Sequence, residues 1–85
     1  MKDSETEDAV ASAVKKERRE GEYIVERFRE GLKSFEEKYD METEEFIEKF
    51  DSGDLDDRED FFEWKSLYEA VVQWEKKIRD LKTAV

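Results

Sequence analysis

The chain of 85 residues contains no cysteine, no histidine and no proline, and only three glycines. Without cysteine it can form neither a disulfide nor a thiolate metal site, and without histidine it lacks the commonest general base. The absence of proline leaves long helices unobstructed. No apolar run approaches the roughly 20 residues that span a bilayer, and the opening MKDSETEDA does not resemble a signal peptide. We therefore expect a single cytoplasmic domain, with no membrane segment and no cofactor.

Negative charge is abundant and unevenly placed. The formal net charge is −10, and residues 36–63 alone hold 14 acidic and 3 basic residues, a net charge of −11. A segment of that sign repels phosphate backbones and attracts basic surfaces. We therefore expect the middle of the chain to bind a positively charged protein rather than nucleic acid.

The spacing of apolar residues predicts a long first helix that ends near residue 39. From Val25 to Tyr39 apolar side chains recur at intervals of three and four, as on one face of a helix. This stripe thins out over Lys15–Glu22, and Gly21 disfavours a helix by about 1 kcal/mol relative to alanine. Two alternatives follow for residues 1–21: either they continue the helix as a solvated extension, or they form a partly ordered arm.

Two further helices are predicted, so the fold class is all-α. Thr43 fits the N-cap of a short helix over about residues 43–52, and Gly53 suits the position after its C-terminus. Asp56 with Glu59 resembles a capping box that opens a long helix over about residues 57–83. We expect the two long helices to pack antiparallel with the short helix between them. Because so short a chain builds a small core, we also expect it to assemble as a dimer.

The sequence offers weak candidates for metal chemistry. The segment DSGDLDDRED is rich in acids, but neither Asp51 nor Asp54 as first ligand places the glycine and final glutamate of an EF-hand correctly. Glu44, Glu45 and Glu48 match the EExxE half of the magnesium motif in all-helical nucleotide pyrophosphatases, without its ExxD partner. We therefore expect a protein that is not an enzyme and holds no metal.

A short basic run is the one feature that suits nucleic acid. It reads KKERR, and its glutamate makes a solvated helical face the simpler interpretation. No helix-turn-helix or similar motif accompanies it, so binding of nucleic acid is not expected, except through this run. Its basic residues are Lys15, Lys16, Arg18 and Arg19.

The aromatic residues beyond the acidic turn cover more of the last helix than one partner helix can bury. Such an excess indicates a second interface, here with another protein. The candidate partner-binding residues are aspartates for electrostatic steering and aromatic residues for anchoring. They are Asp51, Asp54, Asp56, Asp57 and Asp60, with Phe61, Phe62, Trp64 and Tyr68.

The segment from Lys38 to Ile78 resembles a group of short archaeal and bacterial proteins taken to be antitoxins of type II toxin–antitoxin pairs. Their pattern contains KYGM, then EEF, then a turn similar to FxxGELGDDxDFFEW, a helix with tyrosine and a later tryptophan. This chain has KYDM, EEF and FDSGDLDDREDFFEW, with Asp40 and Asp56 where the pattern has glycine.

The resemblance implies a partner toxin encoded nearby, often a small ribonuclease-like protein. The acidic turn would then occupy the toxin's positive groove in place of RNA. The alternative is a structural helical homodimer or adaptor whose aromatic residues all lie in its core.

Overall fold

The computed structural model describes the backbone of residues 2–83 and the side chains of residues 9–83. It contains helices α1 (Lys2–Tyr39), α2 (Thr43–Asp51) and α3 (Glu59–Thr83). The two long helices pack together antiparallel, since Gly31 of α1 lies against Leu67 while Gly21 lies against Trp74. The predicted all-α fold of two long helices with a short one between them is confirmed for the described residues.

Helix α1 runs without a break through the weakly apolar stretch at residues 15–22. The apolar stripe does continue there, but its central member is Gly21, which is buried. A Cβ atom at this position would lie 3.2 Å from two ring carbons of Trp74 and 3.3 Å from Ile78. Gly21 therefore allows α3 to approach the backbone of α1, a role that an apolar pattern cannot reveal.

The core is built around Trp64, which is fully buried. Its ring stacks on that of Phe46 with centroids 3.9 Å apart and planes 2° apart, and it lies 5.7 Å from the ring of Phe35. Its indole Nε1–H donates a 3.1 Å hydrogen bond to Thr43 Oγ1, so the one polar atom of the ring has a partner. All three helices thus meet at one side chain. The buried apolar residues are Val25, Leu32, Phe46, Phe61, Trp64, Val71 and Ile78.

The hydrogen bond from Trp64 to the Thr43 hydroxyl corrects the expectation that Thr43 is the N-cap of α2. The N-cap position is Glu42, which makes no side-chain capping bond, and Thr43 is the first residue of the helix. Its backbone N–H donates instead to Glu36 Oε2 of α1 at 2.8 Å. The prediction was wrong because the threonine hydroxyl serves a tryptophan distant in sequence, while a carboxylate from another helix takes over the capping role.

Gly53 ends α2 as predicted. It has a φ of +76°, and its N–H donates to the carbonyl of Phe50 at 3.2 Å. The next N–H, of Asp54, reaches back to the carbonyl of Lys49 at 2.9 Å. These two bonds form a Schellman motif, which satisfies the last carbonyls of the helix and turns the chain sharply.

Helix α3 begins two residues later than the capping-box prediction placed it. The carboxylate of Asp56 accepts a 3.1 Å hydrogen bond from Arg58 Nε, so it is engaged in the turn. The first backbone bond of the helix runs from the Phe61 N–H to the carbonyl of Arg58, a tightened opening turn. Within residues 2–83 no helix has the length and hydropathy needed to cross a membrane.

Asp40 ends α1 in the left-handed conformation, with a φ of 50°. The N–H of Met41 then donates to the carbonyl of Glu36 at 3.1 Å, which closes this helix as Gly53 closes α2. A side chain in this conformation is strained, and glycine is not. Among the described residues, Asp40 alone combines a side chain with a positive φ.

Replacing Asp40 with glycine is therefore expected to raise the free energy of unfolding by about 0.5–1 kcal/mol, because strain relief exceeds the entropy that glycine adds to the unfolded chain. Urea denaturation followed by circular dichroism measures the change. Asp40→Ala is the matched control and should be less stable than the wild type. A destabilised glycine variant would contradict the left-handed conformation.

Candidate protein-binding surface

The acidic turn between α2 and α3 projects from the bundle. Gly53 reverses the chain direction, so the aspartates that follow extend into solvent. Four of the five aspartates predicted for steering are exposed in the structure, and the fifth, Asp60, is half-buried. The exposed ones are Asp51, Asp54, Asp56 and Asp57.

Among the described residues, three of the exposed aspartates make no side-chain contact outside the turn, whereas Asp51 links α2 to α3. Asp51 pairs with Lys65 Nζ at 2.7 Å, and Asp54 accepts a 3.2 Å bond from Ser52 Oγ. Asp57 makes no side-chain hydrogen bond or ion pair with any described residue. The contacts of Asp54 and Asp56 lie within the exposed turn, where ion pairs contribute about 0–1 kcal/mol, so a partner could exchange them at little cost. The turn therefore presents several carboxylates that a basic protein surface can reach.

Asp60 has a different role from the other four. Its Oδ2 accepts hydrogen bonds from Lys38 Nζ at 2.6 Å and from the Tyr39 hydroxyl at 2.5 Å. The bond from Lys38, followed by that from Tyr39, lowers the pKa of the Asp60 carboxyl, and the same contact raises the pKa of Lys38. Asp60 thus fixes the start of α3 to the end of α1, and its assigned steering role is secondary to this internal contact.

The depressed pKa of Asp60 predicts a pH-dependent contribution to stability. A carboxyl whose folded pKa lies below its unfolded value of 3.8 stabilises the fold above that value. The contribution is lost as the pH falls through the folded pKa. Asp60→Asn should therefore be less stable than the wild type at neutral pH, and the gap should close as the pH drops below 3.8.

Urea denaturation across an acidic pH series measures this gap. Asp57→Asn removes the same charge from an exposed side chain without such contacts, so its small difference from the wild type should change little. A gap for Asp60→Asn that is constant with pH would show that the carboxylate is not held by Lys38 and Tyr39.

The four aromatic anchors predicted from the sequence differ in how much of each side chain is exposed. Phe61 and Trp64 are buried in the core, Tyr68 is half-buried, and Phe62 is 51% exposed. The excess of aromatic surface was overestimated because α2, and not only α1, packs against α3. Of the four, Phe62 therefore offers the most surface to a partner.

Phe50, which was not among the residues predicted for the site, lies beside Phe62. Its half-buried ring meets that of Phe62 edge to face, with centroids 5.7 Å apart and planes at 88°. Lys65 Nζ lies 5.3 Å from the centre of the Phe50 ring. The signal that could have found Phe50 is its spacing of four from the core residue Phe46. We define the acidic surface as Asp51, Asp54, Asp56, Asp57 and Phe62, supported by Phe50.

A second group of carboxylates lies at the start of α2. Oxygens of Glu36, Glu42 and Glu44 lie within 4.8 Å of one another. The structure joins Glu44 to these two rather than presenting the EExxE motif as a unit. Glu36 already accepts the bond from the Thr43 N–H, and exposed acidic groups of this kind are common without an ion. We assign no metal to them.

The basic run of α1 lies far from the acidic surface. Glu17, in the middle of the run, pairs with Lys77 of α3 at 3.1 Å. Since the last turns of α3 are themselves basic, two basic segments distant in sequence lie side by side, and α1 extends beyond them to Lys2. The run's basic residues are exposed apart from the half-buried Arg18; they are Lys15, Lys16, Arg18 and Arg19.

Comparisons with protein-family models, curated proteins and solved structures found no match to this chain.

Proposed function

We propose that this protein is a protein–protein interaction module whose acidic surface binds a partner with a basic surface. The observation that carries the proposal is Phe62, a large apolar side chain half exposed within the most acidic part of the chain. Folding does not require either feature, because the core is formed by Phe46, Phe61 and Trp64. A binding site requires both, since charge brings the partner in and an apolar anchor holds it.

Binding proceeds in two physical steps. The exposed aspartates attract the basic partner over a distance of about one Debye length and raise the association rate. Phe62 then enters an apolar or aromatic pocket and slows dissociation. Its contact with Phe50 restrains the ring before binding, so less side-chain entropy is lost on association.

The most concrete form of the proposal is an antitoxin that neutralises a basic ribonuclease-type toxin in the cytoplasm. The resemblance supports it, since the segment from Lys38 to Ile78 contains the whole acidic surface. A ribonuclease needs a positive groove for RNA, and the aspartates can occupy it in place of phosphates while Phe62 replaces a stacked base. Phe61 and Trp64, also assigned to anchoring, would hold α2 and the turn in place.

The alternative function, a structural homodimer or adaptor, has support from the burial of Phe61 and Trp64. We also propose that the protein is a dimer, which is compatible with either function. Salt separates the two functions, because steering by charge weakens as the ionic strength rises, whereas association through apolar surface does not.

The test is the association of the full chain with the purified protein encoded by the neighbouring gene, measured by surface plasmon resonance at several salt concentrations. The triple variant Asp54→Asn, Asp56→Asn, Asp57→Asn should slow association about tenfold or more at low salt. Phe62→Ala should mainly accelerate dissociation.

The matched control is the triple variant Glu22→Gln, Glu26→Gln, Glu30→Gln, which removes the same charge from exposed positions of α1. It should leave the association rate close to that of the wild type. Equal effects of the two triple variants would overturn the acidic surface as the site. Absence of binding to a folded basic partner from the neighbouring gene would overturn the antitoxin proposal, and inhibition of its RNA cleavage would support it.

A further inference from the structure

The pair formed by α1 and α3 has two sides, and α2 covers only one of them. Phe61 and Lys65 lie on the flank of α3 that meets α2, through Phe46 and Asp51 respectively. On the helical wheel, Leu67 lies on the other flank.

We define the open face as Ile24, Phe28 and Gly31 of α1 with Leu67 and Trp74 of α3. All five are half-buried. Phe28, Leu67 and Trp74 pack against the core with part of their surface, whereas Ile24 is not among the side chains that do so. Because Gly31 has no side chain, the side chain of Leu67 packs directly on the backbone of α1 at this position. The open face is therefore an apolar strip along both long helices that α2 does not cover, with Lys77 Nζ 4.7 Å from the centre of the Trp74 ring at one end of the strip.

The surface of a single copy is large for its mass. Its accessible area is 6550 Å², whereas a compact monomer of 10.3 kDa exposes about 5,400 Å². The radius of gyration is 17.7 Å, against about 12 Å expected for 85 residues. A stable protein interface removes about 800 Å² from each partner, which is within this excess. Side-by-side pairing of two rods along the open face would remove surface of that order.

Charge is separated along the 61 Å long axis. At one end, residues 36–63 have a net charge of −11. At the other, residues 2–22 and 74–83 together contain nine basic and nine acidic residues, a net charge of zero. The contact between Glu17 and Lys77 shows that these two segments share that end. Two copies side by side in the same direction would therefore bring their acidic ends together, whereas opposite directions would place each acidic end beside an end without net charge.

We infer that the open face is covered by a second copy of this chain, antiparallel to the first, in a two-fold symmetric dimer. Four long helices then enclose the half-buried side chains of both open faces, as in a helical bundle. The antiparallel direction follows from the charge separation, and the interface from the apolar strip. The inference does not rest on the proposed function, because it uses none of the aspartates of the acidic surface. Phe62 and Leu67 line one depression, so the two surfaces are neighbours.

The first test is the mass of the full chain in solution, measured by sedimentation equilibrium. The wild type should be a dimer, and Ile24→Glu should shift it to a monomer while keeping its helical circular dichroism. Val72→Glu is the matched control, because Val72 is 48% exposed and borders the groove beside Thr43 and Tyr68 on the side of α2. It should leave the dimer intact. A monomeric wild type, or equal dissociation by both variants, would overturn the interface.

The second test determines direction without disturbing the interface. Because the natural chain has no cysteine, a spin label can be placed at a single introduced cysteine. Ser12→Cys lies about 23 Å along α1 from the centre of the open face at about 1.5 Å per helical residue, so an antiparallel dimer separates its two labels by about 40 Å or more. Gln73→Cys, near the middle, should give a clearly shorter distance. Similar short distances at both positions would indicate a parallel dimer and overturn the inferred arrangement.

Discussion

Replacing Phe46 with alanine is expected to lower the free energy of unfolding by about 3–5 kcal/mol. Phe46 has no accessible surface, and its ring contacts three others, those of Phe50, Phe61 and Trp64. Removing it leaves a cavity between α2 and α3 that the flat tryptophan ring cannot fill by changing rotamer. Since a domain of this size has a total stability of only about 5–10 kcal/mol, the variant should lose much of its cooperative fold.

Urea denaturation measures this loss, and tryptophan fluorescence reports on it because Trp64 becomes exposed when α2 detaches. Phe62→Ala is the matched control: the same substitution on the neighbouring helix, at a half-exposed ring, should cost less than about 1 kcal/mol. Similar losses of stability for the two variants would show that Phe46 does not pack α2 against Trp64 as it does in the structure.

The position of Phe46 also shows how far the sequence predicts this fold. Intervals of three and four between apolar residues identify the helices, because only one face of each helix is buried. The same pattern cannot tell which element covers which flank. Trp64 lies on the apolar seam of the last helix, where a core position is the first expectation, yet Trp64 and Phe61 were also assigned to a partner surface because only one partner helix was counted. They are core because the short helix α2 brings Phe46 against both of them.

The helix ends also differ in whether the local sequence predicts them. Gly53 was predicted correctly because its left-handed conformation depends only on the local chain. Thr43 was not, since its hydroxyl bonds to Trp64, 21 residues further on. For the candidate site, the aspartates of the turn could be identified from charge alone. The separate role of Asp60 could not, because it depends on Lys38 and Tyr39 at the end of another helix.

Substituting leucine for Gly21 is expected to destabilise the protein by about 1–3 kcal/mol, the usual cost of overpacking a close contact. Leucine is the better helix former by about 1 kcal/mol, so local propensity alone predicts the opposite sign. Even the Cβ atom would lie 3.2 Å from the ring of Trp74, and that ring cannot move aside as a flexible chain can. The added side chain would push α1 away from α3 and expose Val25 and Val71 to water.

Glu22→Leu is the control for Gly21→Leu, because it introduces the same side chain at a neighbouring exposed position of α1. We expect it to change the free energy of unfolding by less than about 0.5 kcal/mol. The urea midpoint and the fluorescence of Trp74 measure the effect of each variant. If Gly21→Leu proved as stable as the wild type or more so, helix propensity would outweigh packing, and α3 could not approach α1 as closely as the structure shows. A loss of stability in Gly21→Leu but not in Glu22→Leu would identify Gly21 as the close contact that holds α1 against α3.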